Sequence, residues 1–124
     1  MKTFFTLGCF SAAIAVGAGA FGAHGLKNIL SPDMLAVYET AVRYQMYHAF
    51  ALITTAWAAT HSNNNRVNIA GWCFVAGTVL FSGSLYALTF SDMRWLGAIT
   101  PFGGAAFIAG WLVLGFSVLR NRPR

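Results

Sequence analysis

Charge is what this sequence has least of. Only 9% of its 124 residues are charged, where a soluble globular domain carries about 25%. A chain this short keeps much of its surface in contact with its solvent, so the deficit excludes a water-soluble globule. Acids are rarest, numbering three, Asp33, Glu39 and Asp92. A lone glutamate with no second carboxylate beside it is a poor basis for acid–base catalysis, and the expectation is a protein that is not an enzyme. Cysteine is nearly absent too. Cys9 and Cys73 lie in apolar runs, which excludes a disulfide framework or a zinc site on paired spacings and predicts no metal or other cofactor. Cys9 also fails as a lipoprotein acceptor, because Thr6 stands where an aliphatic residue is expected.

The eight lysines and arginines give a formal net charge of +5. They are scattered singly apart from Arg120, Arg122 and Arg124, so no basic stripe for nucleic acid exists. The glycine-rich run Gly17 to Gly25 follows no strand and precedes no Lys-Ser or Lys-Thr, which excludes a phosphate-binding loop.

What is present is apolar: 57% of residues are hydrophobic and the mean hydropathy is +0.61. A helix needs about 20 residues to cross the hydrocarbon core. Four uncharged runs serve, at about 3–23, 44–60, 69–90 and 98–119. They predict one domain, an all-α integral membrane four-helix bundle in the lipid bilayer. The second run is short, and should extend backwards as helix from residue 32, with Ser31 as cap, Pro32 in the first turn and Asp33 near the positive end of the dipole. Lys2, the apolar run after it and Ala18-Gly19-Ala20 imitate a signal peptide, but the run exceeds the 7–15 residues of a signal core and is read as a retained span. Four spans put Lys2, Arg66, Arg120, Arg122 and Arg124 on one side and Lys27, Arg43 and Arg94 on the other. The excess of positive charge stays inside, which predicts an inner-membrane protein with both termini cytoplasmic.

In the first run Gly8, Ala12, Ala15, Gly19 and Gly22 recur at steps of four and three, a stripe that lets backbones approach where lipid removes the hydrophobic drive. That stripe predicts a central first helix. Thinner stripes recur as Cys73, Gly77 and Ser84 and as Gly103, Ala106 and Gly110. A leftover stripe could equally receive a second copy or another membrane protein. Tyr44, Tyr47, Trp72 and Trp95 fall near span ends, where amphipathic rings settle; Trp111 is deeper and reads only as packing.

Polar groups at membrane depth usually turn inward and find partners. Gln45 and His48, three apart, share a face with Leu52 and Thr55, opposite Glu39 and Arg43. The latter two, acid first and four apart, are a candidate interfacial ion pair worth under about 1 kcal/mol. His24 ends the first run on the side where the second begins, so it is expected near the depth of His48. Three uses of such a cluster compete. Interhelical hydrogen bonds would each contribute about 0.6–2 kcal/mol. A substrate or proton site would make a small transporter or ligand-binding protein, although such carriers usually place a carboxylate in the membrane and none is here. Paired histidines would suit haem or quinone, but no haem-attachment motif is present. Pro101, Gly103 and Gly104 open the fourth run, and either a close approach or a broken helix lining a site would follow.

Four blocks carry a resemblance: Gly19-Ala20-Phe21-Gly22-Ala23-His24-Gly25-Leu26, Tyr38 through Ala49, Gly83-Ser84-Leu85-Tyr86, and Ile99-Thr100-Pro101-Phe102-Gly103-Gly104. In order and separation they resemble the YgdD family, domain of unknown function 423, which includes the eukaryotic transmembrane protein 256. The resemblance spans essentially the whole chain. It implies a four-span bacterial inner-membrane protein and marks His24, Gln45, His48, Tyr86 and Thr100 as a candidate polar cluster. It transfers no catalytic role. The resulting expectation is a structural or interaction component, with the transporter and the haem or quinone protein as alternatives.

Overall fold

The computed structural model describes residues 2–62 and 64–119. They form α1 (Lys2–Phe21), α2 (Pro32–His61), α3 (Asn65–Gly77), α4 (Gly83–Ser91) and α5 (Thr100–Leu119). Two π-helical turns extend these elements: Gly22–Leu26 continues α1, and Thr78–Ser82 joins α3 to α4 as one long helix. A 3-10 turn, Arg94–Ala98, leads into α5. The result is four antiparallel helical rods.

Local chemistry sets the ends. Ser31 Oγ accepts the Met34 amide at 3.2 Å and Pro32 occupies the first helical turn, so α2 starts twelve residues before its apolar stretch. Asp92 closes α4 in the left-handed region at φ 56°, a conformation that a short polar side chain tolerates.

Three of the rods, Lys2–Leu26, Asn65–Ser91 and Arg94–Leu119, are long and apolar enough to cross a membrane. Three of the four expected spans meet that standard among the described residues, and α2 does not. The longest helix, α2, falls short in hydropathy because it carries Tyr44, Gln45, Tyr47, His48, Thr54 and Thr55. Its apolarity is replaced by enclosure: Ala41, Gln45, His48, Ala49, Leu52, Thr55 and Ala56 are all buried.

The central helix is therefore α2, and the expectation that α1 would occupy that place is overturned. In α1 only Phe4, Gly8 and Ala15 are buried. The small-residue stripe does make a close contact, but with one neighbour. A methyl group on Gly8 would lie 2.8 Å from the Ala49 carbonyl oxygen, and one on Gly19 would lie 3.5 Å from Val42. The stripes of α3 and α5 face each other likewise, with Gly77 against Phe107 and the Gly103 carbonyl, and Gly110 against Phe74 and Cys73. Packing runs in sequence, α1 on α2, α2 on the α3–α4 rod, that rod on α5. Phe10, Ile14, Phe50, Trp57, Ile108 and Phe116 remain exposed, as a lipid solvent permits.

Candidate functional site

The antiparallel register of α1 and α2 decides where the polar residues meet. Tyr38 donates its hydroxyl proton to the Ala18 carbonyl at 2.6 Å, so α2 lies along α1 from its first turns. Seven residues later Gln45 comes level with Ser11, midway along α1, and donates Nε2–H to its carbonyl at 3.0 Å. The Gln45 Oε1 atom accepts the Tyr86 hydroxyl at 2.7 Å. One buried amide thus bridges α1, α2 and α4.

His48, one turn further, is held separately. Its Nδ1 lies 2.7 Å from the Tyr44 carbonyl, and Trp111 Nε1 approaches its Nε2 at 3.1 Å. An indole nitrogen only donates and a carbonyl only accepts. These partners fix the neutral tautomer with the proton on Nδ1, and both ring nitrogens are used. The ring stacks on Phe107 with centroids 3.4 Å apart and planes 8° from parallel. Phe74 and Trp111 pack beside it, with ring centroids 5.8 and 6.0 Å away.

Thr100 forms a third set. Its Oγ1 is 2.6 Å from Ser84 Oγ, which itself donates to the Phe81 carbonyl at 3.0 Å. The Ser84 proton is spent on Phe81, so the Thr100 hydroxyl donates. This bond pins the start of α5 to α4. Pro101 sits in the first turn of α5, which runs unbroken. Gly103 provides close approach and no kink: a methyl there would overlap the Phe81 amide nitrogen.

The single cluster expected from the sequence is thus divided. Gln45 and Tyr86 are joined, while His48 and Thr100 have partners of their own. His24 is apart from all of them, exposed in the π-helical turn and about 20 Å beyond Ser11 at 1.5 Å per residue. It does not share the depth of His48. The reason is the early start of α2, which carries Gln45 and His48 to the middle of the bundle. Glu39 and Arg43 stand exposed one turn apart on the outer face of α2. Two solvated side chains gain little from pairing there. Arg120, Arg122 and Arg124, which weighed most in the charge count, lie outside the described residues.

Sequence reasoning missed two side chains and one backbone group. Trp111 is the donor to His48, Ser82 donates to the Ala41 carbonyl at 2.8 Å from a fully buried position, and the Ser11 carbonyl receives Gln45. The indole of Trp111 offered a signal, since such an N–H seeks an acceptor when it leaves water. No buried side-chain polar atom among the described residues lacks a partner. No group of three or more potential metal-ligating residues comes together among them. Beside His48 a groove of about 510 Å³ opens outward between α2 and α5, lined by Tyr44, Tyr47, Gly104, Phe107, Ile108 and Trp111.

Residues 18–104 match the family model described as a protein of unknown function, DUF423. A UPF0382 membrane protein of Staphylococcus epidermidis is 49% identical over 120 residues, covering 97% of this chain and 98% of that one. The UPF0382 membrane protein YwdK of Bacillus subtilis is 50% identical over 115 residues, covering 92% and 94%. No solved structure matches.

Proposed function

Because the chain belongs to the DUF423 family, whose relatives are named as membrane proteins, we propose that it is a non-catalytic structural or interaction component of the bacterial inner membrane. One observation carries this reading: both ring nitrogens of His48 and both polar atoms of Gln45 are consumed by the protein itself. A histidine with no free lone pair is a poor ligand and a poor proton relay, and an amide engaged at both its nitrogen and its oxygen is a crosslink between helices. In this reading the buried polar groups fix the mutual positions of the rods, and the lipid-facing surface does the work of association.

The proposal includes four crossings. Although α2 is less apolar than its neighbours, Gln45, His48 and Thr55 are buried with partners inside the bundle, and between residues 44 and 59 it exposes Tyr47, Phe50, Trp57 and Thr54, whose hydroxyl bonds its own helix at the Phe50 carbonyl. With four crossings both termini share a side, and the basic residues favour the cytoplasm.

The groove beside His48 supports a second reading, a small transporter or ligand-binding protein, since it brings an aromatic-lined space to the edge of the hydrogen-bonded set. Proteoliposomes under an imposed pH gradient separate the two readings. The structural reading expects wild-type protein and His48→Phe to leak protons at the same rate as empty vesicles. Saturable flux in the wild type that His48→Phe abolishes would overturn it.

A further inference from the structure

A second groove lies at the opposite end of the bundle from the acidic residues. About 600 Å³ in volume, it runs between α3 and α5 and is lined by Arg66, Ile69, Val113, Phe116 and Leu119. Four of the five are apolar and the fifth is a cation at the end of the rod. Val113, Phe116 and Leu119 recur every three residues along one face of α5, about 9 Å of wall at 1.5 Å per residue, which matches the upper part of an acyl chain lying along a helix.

The charge pattern selects the headgroup. The end that carries Arg66 also carries Lys2 and His61, and Leu119 is followed in sequence by Arg120, Arg122 and Arg124. All three acids of the chain, Asp33, Glu39 and Asp92, belong to the start of α2 and the turn before α5 at the other end. No side-chain carboxylate among the described residues lies at the Arg66 end. A guanidinium at the mouth of an apolar groove presents a planar set of donors to a phosphate while the chain below it is covered.

We propose that this groove is a binding site for an anionic phospholipid, with its phosphate on Arg66 and its acyl chain against Ile69, Val113 and Phe116. The occupant is a lipid and not free phosphate, because four of the five lining residues offer nothing to a soluble anion. The site is independent of the reading of His48 given above.

Native mass spectrometry of the delipidated full chain tests this with phosphatidylglycerol and phosphatidylcholine of identical chains. The wild type should retain phosphatidylglycerol preferentially. Arg66→Gln should lower that preference about fivefold, the effect of one basic residue at a membrane surface. Arg94→Gln, at the other end, should leave it unchanged. Val113→Trp, which fills the groove, should reduce retention of both lipids while Arg66 is intact. Equal retention of the two lipids by the wild type overturns the proposal and needs no variant to read. So does equal loss in Arg66→Gln and Arg94→Gln, which would mean diffuse attraction to the whole surface. Displacement of the lipid by glycerophosphate at equal concentration would also overturn it, since the groove would then contribute nothing.

Discussion

The amide of Gln45 illustrates how one side chain can organise three helices. Tyr86→Phe would leave its Oε1 atom buried without a donor, and should cost about 0.6–2 kcal/mol in reversible unfolding in mild detergent. Gln45→Leu removes both bonds at once and should cost a similar amount. The double variant should cost less than the sum by about 0.5–1.5 kcal/mol, because each single change already breaks the shared bond; strict additivity would mean that the bond carries no energy. Gln45 and His48 were legible in the sequence because polar residues three apart in an apolar run must turn inward. Their partners were not. The Ser11 carbonyl is backbone, invisible to any reading of side chains, and Trp111 lies 63 positions from His48, at a separation that only the register of α2 against α5 settles. His24 was misplaced for a related reason: the depth of a residue was taken from where the apolar run begins, whereas the helix begins at Pro32.

At the scale of the helices, glycine is where contact is decided. Gly103→Ala should destabilise the bundle by about 1–3 kcal/mol, because the new methyl overlaps the Phe81 backbone, which has no rotamer to escape through. Gly17→Ala and Gly115→Ala meet nothing within 4 Å and should stay within about 1 kcal/mol of the wild type. Thermal unfolding of the three variants in one detergent compares them directly, and equal losses would contradict the packing described. The stripes themselves could be read from spacing. Which stripes would face each other, and the rank of the helices, could not. A stripe of small residues declares that a helix has a close neighbour; it does not say how many. The many buried positions of α2 combine alanines with satisfied polar groups, a composition that lowers hydropathy and disguises the most enclosed helix as the least membrane-like.

For the molecule as a whole, the sequential packing order leaves α1 and α5 as outer rods, each with a broad apolar face toward lipid. If α2 crosses as proposed, reporter fusions at the N-terminus, at the turn after His61 and at the C-terminus should all report the cytoplasm. Termini on opposite sides would show that α2 does not cross, and would confine the structural proposal to three spans. The membrane class was legible from composition, since so few charges cannot cover a protein in water, and its helical form from the long uncharged runs. The number of crossings was not, because hydropathy records what a helix is made of, whereas crossing depends on which of its atoms reach the lipid.

The wide turn at Thr78–Ser82 carries a consequence for heredity. A π-helical turn holds one residue more than the α-helix around it needs, so the α3–α4 rod is two regular helices out of phase by about 100°. Loss of a single codon there would restore an unbroken helix with no clash of its own. It would also swing everything after it by that angle, carrying Tyr86 away from Gln45 and Ser84 away from Thr100. Length at this position is therefore under a constraint that substitutions would never reveal, and a gap in this stretch of a relative would signal a different set of contacts beyond it.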